Sequence, residues 1–382
     1  MPIKVLIIGA GPAGLTLALA LQRRSNNIEI HIYEKGDNHL LAPTFNPTKS
    51  YSIDITGHGA KAIRAVNATE RFNKELMKFK GIKMTFMNLI DEYNNNDSWI
   101  GSRGDICSAL QKEFEYRNQQ QEEKDHHDDD HHDHHCHHHL YFNREVQIID
   151  INKGIVNIRS ATTDRRSDNV DNNDNIDHDN DDNEEFSMEQ FDLIVAADGA
   201  GSLSRTTLAN NNNLKFHIDS FDNKNHSMMI HFDQNTEELN PSYLYAFSPP
   251  PVFCIAGAIN GSTNDNSLSS TSSSSSSTSS NPKWYCQIAF TGYKSFHNRK
   301  EVKDFLIQNI PFYSEMLHYI SDNALDEFVK QPCIPIGKAK RCSTFHYGRV
   351  VLIGDAGSPF PPIGQGLNAA MEMAIILDKC LG

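Results

Sequence analysis

Apolar residues near the amino terminus follow the spacing of a strand, a helix and a second strand. The β-branched run from Pro2 to Ile8 is typical of a buried parallel strand. A helical pattern covers Leu15 to Arg24, and the run from Ile28 to Tyr33 predicts the next strand. The chain therefore begins with a predicted β–α–β unit.

Apolar runs recur in the second half of the chain. Leu193 to Ala197 and Val350 to Ile353 predict two more buried strands, and Ala369 to Leu381 predicts a long final helix. Between them, antiparallel strands are predicted for SYLYAF, VFCIAGAI and WYCQIAF, and a helix near Lys300 to Asn309.

These elements predict an α/β protein with a Rossmann-like β–α–β domain and a second domain built on a mixed or antiparallel sheet. The first domain is predicted over residues 1–213, and the sheet domain over 214–340. Residues 341–382 return to the first domain and end in the final helix.

Three polar tracts interrupt this pattern, at 118–139, 168–185 and 262–281. Each contains few apolar residues, so burial cannot offset the entropy of ordering it, and we interpret all three as inserts. The first tract holds nine of the 19 histidines together with Cys136. It could bind Zn²⁺ or Ni²⁺, but an expanded loop is the favoured interpretation, and no metal site is predicted.

The formal net charge of −14 comes from the inserts. Residues 122–133 contribute −6 and residues 168–185 contribute −9, so the remainder carries about +1. A basic footprint for nucleic acid is therefore absent from the sequence.

The seven cysteines contain no C-x-x-C pair, which indicates reduced thiols. The uncharged run from Val5 to Leu21 is broken by three glycines and a proline, so it predicts neither a signal peptide nor a membrane anchor. A cytoplasmic location is expected.

The first chemical motif joins the first strand to the first helix. Gly9, Gly11 and Gly14 form G-x-G-x-x-G, with Ala13 inside it, and Glu34 ends the second strand 20 residues later. The glycines permit a tight turn and close approach of backbone N–H groups to a pyrophosphate, and the acid can bind a ribose. The motif predicts a dinucleotide, either FAD or NAD.

A second motif follows the last predicted strand. Asp355, after Gly354, can hold a polyol hydroxyl, and a glycine turn opening a helix can stabilise an electron-rich oxygen. The turn comprises Gly364, Gly366, Leu367 and Asn368. The alternative is an ordinary strand–loop–helix connection.

A third element, Asp198-Gly199, follows the strand at Leu193 to Ala197. It would close over the dinucleotide, but taken alone a plain Asp-Gly turn is the favoured interpretation.

Together the three elements resemble the fingerprints of the FAD-dependent aromatic hydroxylases, the single-component flavoprotein monooxygenases. Within that family the chain is most similar to the kynurenine 3-monooxygenase group. The additional likeness lies in Ser52 to Ile55, Lys340 to His346 and Gly101-Ser102-Arg103. The last segment implies that Arg103 contacts the phosphate or ribityl part of FAD.

The resemblance implies hydroxylation of a small aromatic substrate by O₂ through a flavin C4a-hydroperoxide. NADPH or NADH would be a transient co-substrate, and Pro361 and Pro362 would border the flavin. No side chain is assigned as catalytic, because the flavin supplies the reactive chemistry.

The chain departs from this family at two places. Ser358 stands where relatives usually have His, and Met84 to Met87 lacks the arginine expected to hold a kynurenine carboxylate. Relatives also continue beyond the final helix. A flavin-binding protein without turnover and an FAD-dependent reductase of an isoprenoid therefore stay open.

Overall fold

The computed structural model describes the chain except residues 1, 25–26, 43–45, 47, 49, 94–96, 126–137, 162–186, 261–281, 312 and 361–363. The predicted inserts at 168–185 and 262–281 lie outside the described residues. The first tract is partly described. Its residues 118–125 continue a helix and His139 begins a strand, so the prediction of one insert over 118–139 is wrong at both ends.

A six-stranded sheet forms the dinucleotide half, in the order β20-β21-β12-β1-β2-β8. Its strands are parallel apart from the β20–β21 pair. The strands are β1 (Ile3–Ile8), β2 (Ile28–Tyr33), β8 (His139–Tyr141), β12 (Leu193–Ala196), β20 (His346–Tyr347) and β21 (Val350–Leu352).

Six helices accompany this sheet among the residues that the structure describes, and one of them, α5, follows strand β12. Helix α1 is apolar almost all round, because it is covered by β1, α4 and α9, and nine of its residues are buried. The helices are α1 (Pro12–Leu21), α2 (Gly57–Ala65), α3 (Thr69–Glu75), α4 (Arg103–Asp125), α5 (Leu203–Asn210) and α9 (Gly366–Cys380).

A seven-stranded sheet forms the other half, in the order β18-β14-β17-β16-β15-β5-β6. Only β15 and β5 pair in parallel among the pairs described in this sheet. The strands are β5 (Gly81–Met84), β6 (Leu89–Glu92), β14 (Asn225–Phe232), β15 (Tyr243–Ser248), β16 (Phe253–Ile259), β17 (Lys283–Thr291) and β18 (Ile334–Pro335).

One face of this sheet is covered by the helices α6 (Arg299–Asn309), α7 (Tyr313–Leu317) and α8 (Asp322–Val329). Buried aromatic and aliphatic side chains such as Phe232, Phe247 and Trp284 form the core between the sheet and these helices. The opposite face is therefore left to contact the dinucleotide half.

The described residues also form three smaller sheets. One has the order β3-β7-β4, the second β11-β10-β9, and the third pairs β13 with β19. The strands are β3 (Ile53–Ile55), β4 (Met77–Lys78), β7 (Trp99–Gly101), β9 (Arg144–Asp150), β10 (Ile155–Ser160), β11 (Ser187–Gln190), β13 (Ile218–Phe221) and β19 (Ala339–Cys342).

The predicted fold class is confirmed, with a parallel sheet covered by helices and a mixed sheet beside it. The division at residue 213 stays a prediction, although β5 and β6 come from before it and pair within the seven-stranded sheet. Among the residues that the structure describes, no helix combines the length and apolar character needed to cross a membrane. The six described cysteines are free thiols.

Candidate cofactor-binding site

A cavity of about 290 Å³ lies where the three predicted motifs meet. It is bounded by the loop after β1, the loop after β12 and the start of α9. Eight of the predicted site residues line it: Gly11, Ala13, Arg103, Gly199, Asp355, Gly364, Gly366 and Leu367. Residues from three distant parts of the sequence are thus brought to one cavity at the carboxyl end of the parallel strands, which is where such sheets bind ligands.

The glycines of the first loop are required by its geometry. Gly9 has φ +102°, and a Cβ on Gly14 would lie 2.0 Å from the carbonyl oxygen of Gly9. Neither lines the cavity. They shape the turn, while Gly11 lines the cavity and is the N-cap residue of α1.

Two helices open on this cavity with uncapped amino termini. Neither Gly11 before α1 nor Gln365 before α9 makes a side-chain cap hydrogen bond. Ser202, Asn298 and Ser321 cap α5, α6 and α8 with side-chain oxygens, whereas α2 and α3 also begin without a side-chain cap. The uncapped N–H groups and the two helix dipoles favour an anionic or electron-rich ligand, so the cavity fits FAD.

Glu34 is fixed against the glycine loop. Its carboxylate accepts hydrogen bonds from Ala10 N and Gly36 N, both at 2.7 Å. Each oxygen retains acceptor capacity, because a carboxylate offers about four lone-pair sites. The predicted ribose acceptor is therefore held in place by main-chain donors.

Asp198 and Gly199 have different surroundings. Asp198 accepts from Ser202 Oγ at 2.6 Å and from Ser204 N at 3.0 Å, so its carboxylate closes its own turn. Gly199 has φ +74°, and a Cβ there would have open space. Gly199 lines the cavity, whereas Asp198 does not.

Arg205 is a positioning residue that the sequence motif did not identify as a site residue. Although it is only 1% exposed, its guanidinium donates to the main-chain oxygens of Asp355 at 2.9 Å and Ala356 at 2.8 Å. A further bond reaches the carbonyl of Ala200. Arg205 thereby ties the loop after β12 to the loop after β21.

Arg103, Tyr51 and Asp355 form an electrostatic group on the cavity wall. Burial raises the pKa of Asp355, and the positive charges of Arg103 and Arg205 oppose that rise. Burial likewise raises the pKa of Tyr51, and Arg103 again acts in the opposite direction. Tyr51 was not predicted, since a lone aromatic before a short strand carries no motif.

Asn368 is buried and holds α9 against the segment after β3. Its Nδ2 donates to the carbonyl oxygen of Asp54 at 3.0 Å, and its Oδ1 accepts from Thr56 N at 3.2 Å. A Cβ on Gly59 would lie 2.0 Å from the same Oδ1. Asn368 therefore positions the helix and does not line the cavity. Gly354, at φ +57°, likewise lies behind the wall.

A second cavity of about 510 Å³ adjoins the first, and both are lined by Tyr51, Ile53 and Gly364. Its far wall is the open face of the seven-stranded sheet, including Ile82, Leu244, Ile255 and Gln287. On strand β17, Gln287 faces this cavity. Tyr243, Tyr245 and Phe247 belong to the core on the other side of the sheet.

Asp54 brings a carboxyl to the second cavity. It is 8% exposed, and its Oδ1 lies 3.9 Å from the position of a Cβ on Gly364. Burial raises its pKa, and the hydrogen bond from Thr56 Oγ1 at 3.0 Å opposes that rise. None of the described residues lining this cavity is Lys, Arg or His.

The structure describes two of three remaining sequence features, the segment from Met84 to Met87 and Ser358. Met84 ends β5, and Thr85–Met87 forms a 3₁₀ turn that does not line either cavity. Ser358 is half-buried, and its N–H donates to Gly354 O at 3.0 Å. Pro361 and Pro362 lie outside the described residues.

Solved structures with the same fold share little sequence with this chain. The tetrameric form of 2-methyl-3-hydroxypyridine-5-carboxylic acid oxygenase has a TM-score of 0.61 at 16% identity, with 100% of this chain and 82% of that chain covered. HpxO of Klebsiella pneumoniae, complexed with FAD and uric acid, has a TM-score of 0.60 at 16% identity, with 99% and 79% covered.

Similar sequences include two enzymes named kynurenine 3-monooxygenase. Kynurenine 3-monooxygenase of Legionella pneumophila (strain Corby) is 23% identical over 393 residues, covering 99% of this chain and 72% of the relative. The enzyme of the same name from Cryptococcus neoformans var. neoformans serotype D (strain B-3501A) is 21% identical over 387 residues, covering 99% and 68%. A family model described as an FAD binding domain matches residues 2–382. The chain belongs to this FAD binding domain family.

Proposed function

We propose that this chain is an FAD-dependent monooxygenase that uses NADPH or NADH and O₂ to hydroxylate a small aromatic compound. The observation that carries the proposal is the junction of the two cavities. The cavity lined by the three cofactor motifs shares Tyr51, Ile53 and Gly364 with a larger cavity under the second sheet. A ligand in the larger cavity would lie beside the reactive end of the cofactor.

The proposed cofactor contacts follow the motifs. The loop through Gly9, Gly11, Ala13 and Gly14 would hold the pyrophosphate at the amino terminus of α1, and Glu34 would bind the ribose. Arg103 would bind a phosphate or the ribityl chain. Bound FAD would supply the hydride acceptor and the oxygen chemistry that no side chain of the chain provides.

The carboxyl end of the chain would hold the flavin ring and its side chain. Asp355 and Gly199 would contact the ribityl region. The N–H groups at Gly366 and Leu367, at the start of α9, would stabilise negative charge at the N1–C2=O edge. Gly364 leaves room for the flavin ring between the two cavities. Asp198, Gly354 and Asn368 do not line the cofactor cavity, and they would hold its lining residues in position.

The second cavity favours an aromatic compound that donates a hydrogen bond. Asp54 is its acidic group, and its described lining contains no basic side chain that could pair with a carboxylate. Asn223, Asn225 and Gln287 add neutral polar groups. Apolar walls from Leu244, Phe253 and Ile255 would exclude water from the reaction. The proposed substrate is therefore a phenol or an aromatic amine, in preference to an aromatic acid.

The experiment is turnover with ¹⁸O₂. Purified protein with FAD is supplied with NADPH or NADH and a panel of phenols, aromatic amines and matched benzoates. The proposal predicts faster nicotinamide oxidation with a phenol or amine, and one ¹⁸O atom in the product. Reduction of an added isoprenoid without oxygen incorporation would support a reductase instead. Peroxide as the sole product with every ring compound would contradict hydroxylase function.

A further inference from the structure

Three metal-ligating side chains meet at the edge of the six-stranded sheet, away from the cofactor cavity. Glu29 and His31 lie two residues apart on β2, so their side chains share one face. His139 begins β8 and is the parallel partner of His31 in the register. One ligand atom from each of the three residues lies within 4.8 Å of the other two.

His31 is the buried member of this cluster. It is 7% exposed, and one of its ring nitrogens, Nε2, lies 2.6 Å from Glu29 Oε1. Its other ring nitrogen, Nδ1, is buried and has no hydrogen-bond partner among the described residues. An orphaned buried polar atom costs free energy, and a bound ion would give the ring a second strong interaction.

The surrounding side chains hold the two imidazoles close together. The His31 and His139 ring centroids are 5.0 Å apart, and Phe191 packs edge-on against His31 at 5.4 Å. This face of the sheet packs against Val146 and Ile148, whereas α1 packs on the opposite face against Ile30 and Ile32. The cluster therefore lies on the face of the sheet away from α1, and none of its three residues lines either cavity.

We propose that Glu29, His31 and His139 bind one Zn²⁺ ion, with water at the fourth position. Imidazole nitrogen and carboxylate oxygen bind zinc at about 2.0–2.2 Å, so two ligands of one tetrahedral ion lie about 3.3–3.6 Å apart. The ligand atoms lie within 4.8 Å of one another, so the most distant pair needs to close by up to about 1.5 Å. The ion would tie the strand after the His-rich tract to β2.

The cation of Lys4 lies near the cluster. Lys4 Nζ is 3.7 Å from Glu29 Oε1, and the Lys4 side chain is half exposed. Exposed pairs of this kind are weak, and a flexible lysine can turn to solvent when a divalent ion binds the carboxylate. Lys4 therefore weakens the site without blocking it.

The test must separate this cluster from the rest of the His-rich tract, since a run of histidines binds metal by itself. The starting protein is the full chain with Cys136→Ser and asparagine at the tract histidines His126, His127, His131, His132, His134, His135, His137 and His138. Zn²⁺ is then titrated in competition with a chromophoric chelator. We expect one zinc per chain.

Three further changes are made in that background. His31→Gln is expected to abolish the zinc site, and Glu29→Gln is expected to weaken it at least about tenfold. His297→Gln is the matched control, because His297 pairs with Glu301 at 3.1 Å without a second histidine, and zinc binding should stay unchanged.

Circular dichroism of each variant checks that the chain is folded, and Glu29→Gln keeps the test valid if His31→Gln does not fold. Equal zinc affinity in the starting protein and the Glu29→Gln variant would overturn the proposal. Absence of any zinc binding in the starting protein would overturn it as well. Neither result depends on catalytic turnover.

Discussion

The buried guanidinium of Arg205 donates a hydrogen bond to the main-chain oxygen of Asp355 at 2.9 Å, across 150 positions of sequence. The same side chain reaches Ala356 O at 2.8 Å and the carbonyl of Ala200. Two of the three cofactor motifs are thus joined by one arginine that does not itself line the cavity.

Replacing Arg205 should damage both the fold and cofactor binding. Arg205→Ala leaves the buried carbonyl oxygen of Ala356 and the partly buried ones of Asp355 and Ala200 without this donor, at about 1–3 kcal/mol for a fully buried group left unpaired. Arg205→Lys keeps the charge but loses the planar fork, so it should be intermediate. Thermal unfolding and FAD dissociation are measured together. Wild-type stability in Arg205→Ala would contradict the bridging role.

Gly59 should not tolerate a side chain, because a Cβ there would meet Asn368 Oδ1 at 2.0 Å and Met371 Cε at 2.9 Å. Gly59→Ala is expected to lower the free energy of unfolding by about 1–3 kcal/mol. Gly337→Ala is the matched control, since a Cβ there has nothing within 4 Å. Denaturant unfolding that ranks the two variants equally would contradict this packing.

Arg103 should contribute its charge to cofactor binding. We expect Arg103→Met to weaken FAD binding by about ten- to a hundredfold, because hydrogen bonds to charged groups contribute about 1.5–3 kcal/mol. Lys61→Met removes an exposed positive charge from α2 and serves as the control. FAD fluorescence titration at two salt concentrations measures both. An equal loss in the two variants would indicate a general charge effect.

Asp54 should make stability depend on pH. Because its pKa is higher in the folded chain than the ordinary value near 3.9, the folded state binds more protons between the two values. The free energy of unfolding contributed by Asp54 therefore falls as pH rises through that window. Asp54→Asn should lose this part of the pH dependence and gain stability, relative to wild type, at pH 7.

The measurement is the thermal unfolding of wild type and Asp54→Asn at several pH values from about 4 to 8. Asp355 has a pKa shifted in the same direction, so the difference between the two proteins isolates Asp54. A constant difference in melting temperature across the whole range would contradict a buried, titrating carboxyl.

The sequence pattern was sufficient to predict strands and helices that depend on residues close together in the sequence. The strand at Ile28–Tyr33 has the predicted bounds, and the helix near Lys300 to Asn309 begins one residue earlier, at Arg299. The first helix begins at Pro12, three residues before the apolar run, because its opening turn belongs to the glycine loop. Glycine spacing likewise identified one side of the cavity.

Sequence pattern was insufficient where a side chain acts through distant partners. Arg205 and Asn368 lie in recognisable motifs, yet the roles seen here arise from carbonyl groups far away in the sequence. The polar composition of 118–125 predicted an insert, but α4 continues through it, since a helix that is already nucleated extends at small cost. The pairing of β5 with β15 could not be predicted either, because the two strands lie far apart in the sequence.

The central claim is that this chain holds a flavin able to accept hydride. Its most direct test is the visible absorption spectrum of the purified protein, followed by anaerobic addition of NADPH and, separately, NADH. We expect a flavin spectrum that bleaches with at least one of the two, and faster with an aromatic compound that fits the second cavity. A folded protein that stays colourless after incubation with FAD would contradict the claim, and so would a bound flavin that neither nucleotide reduces.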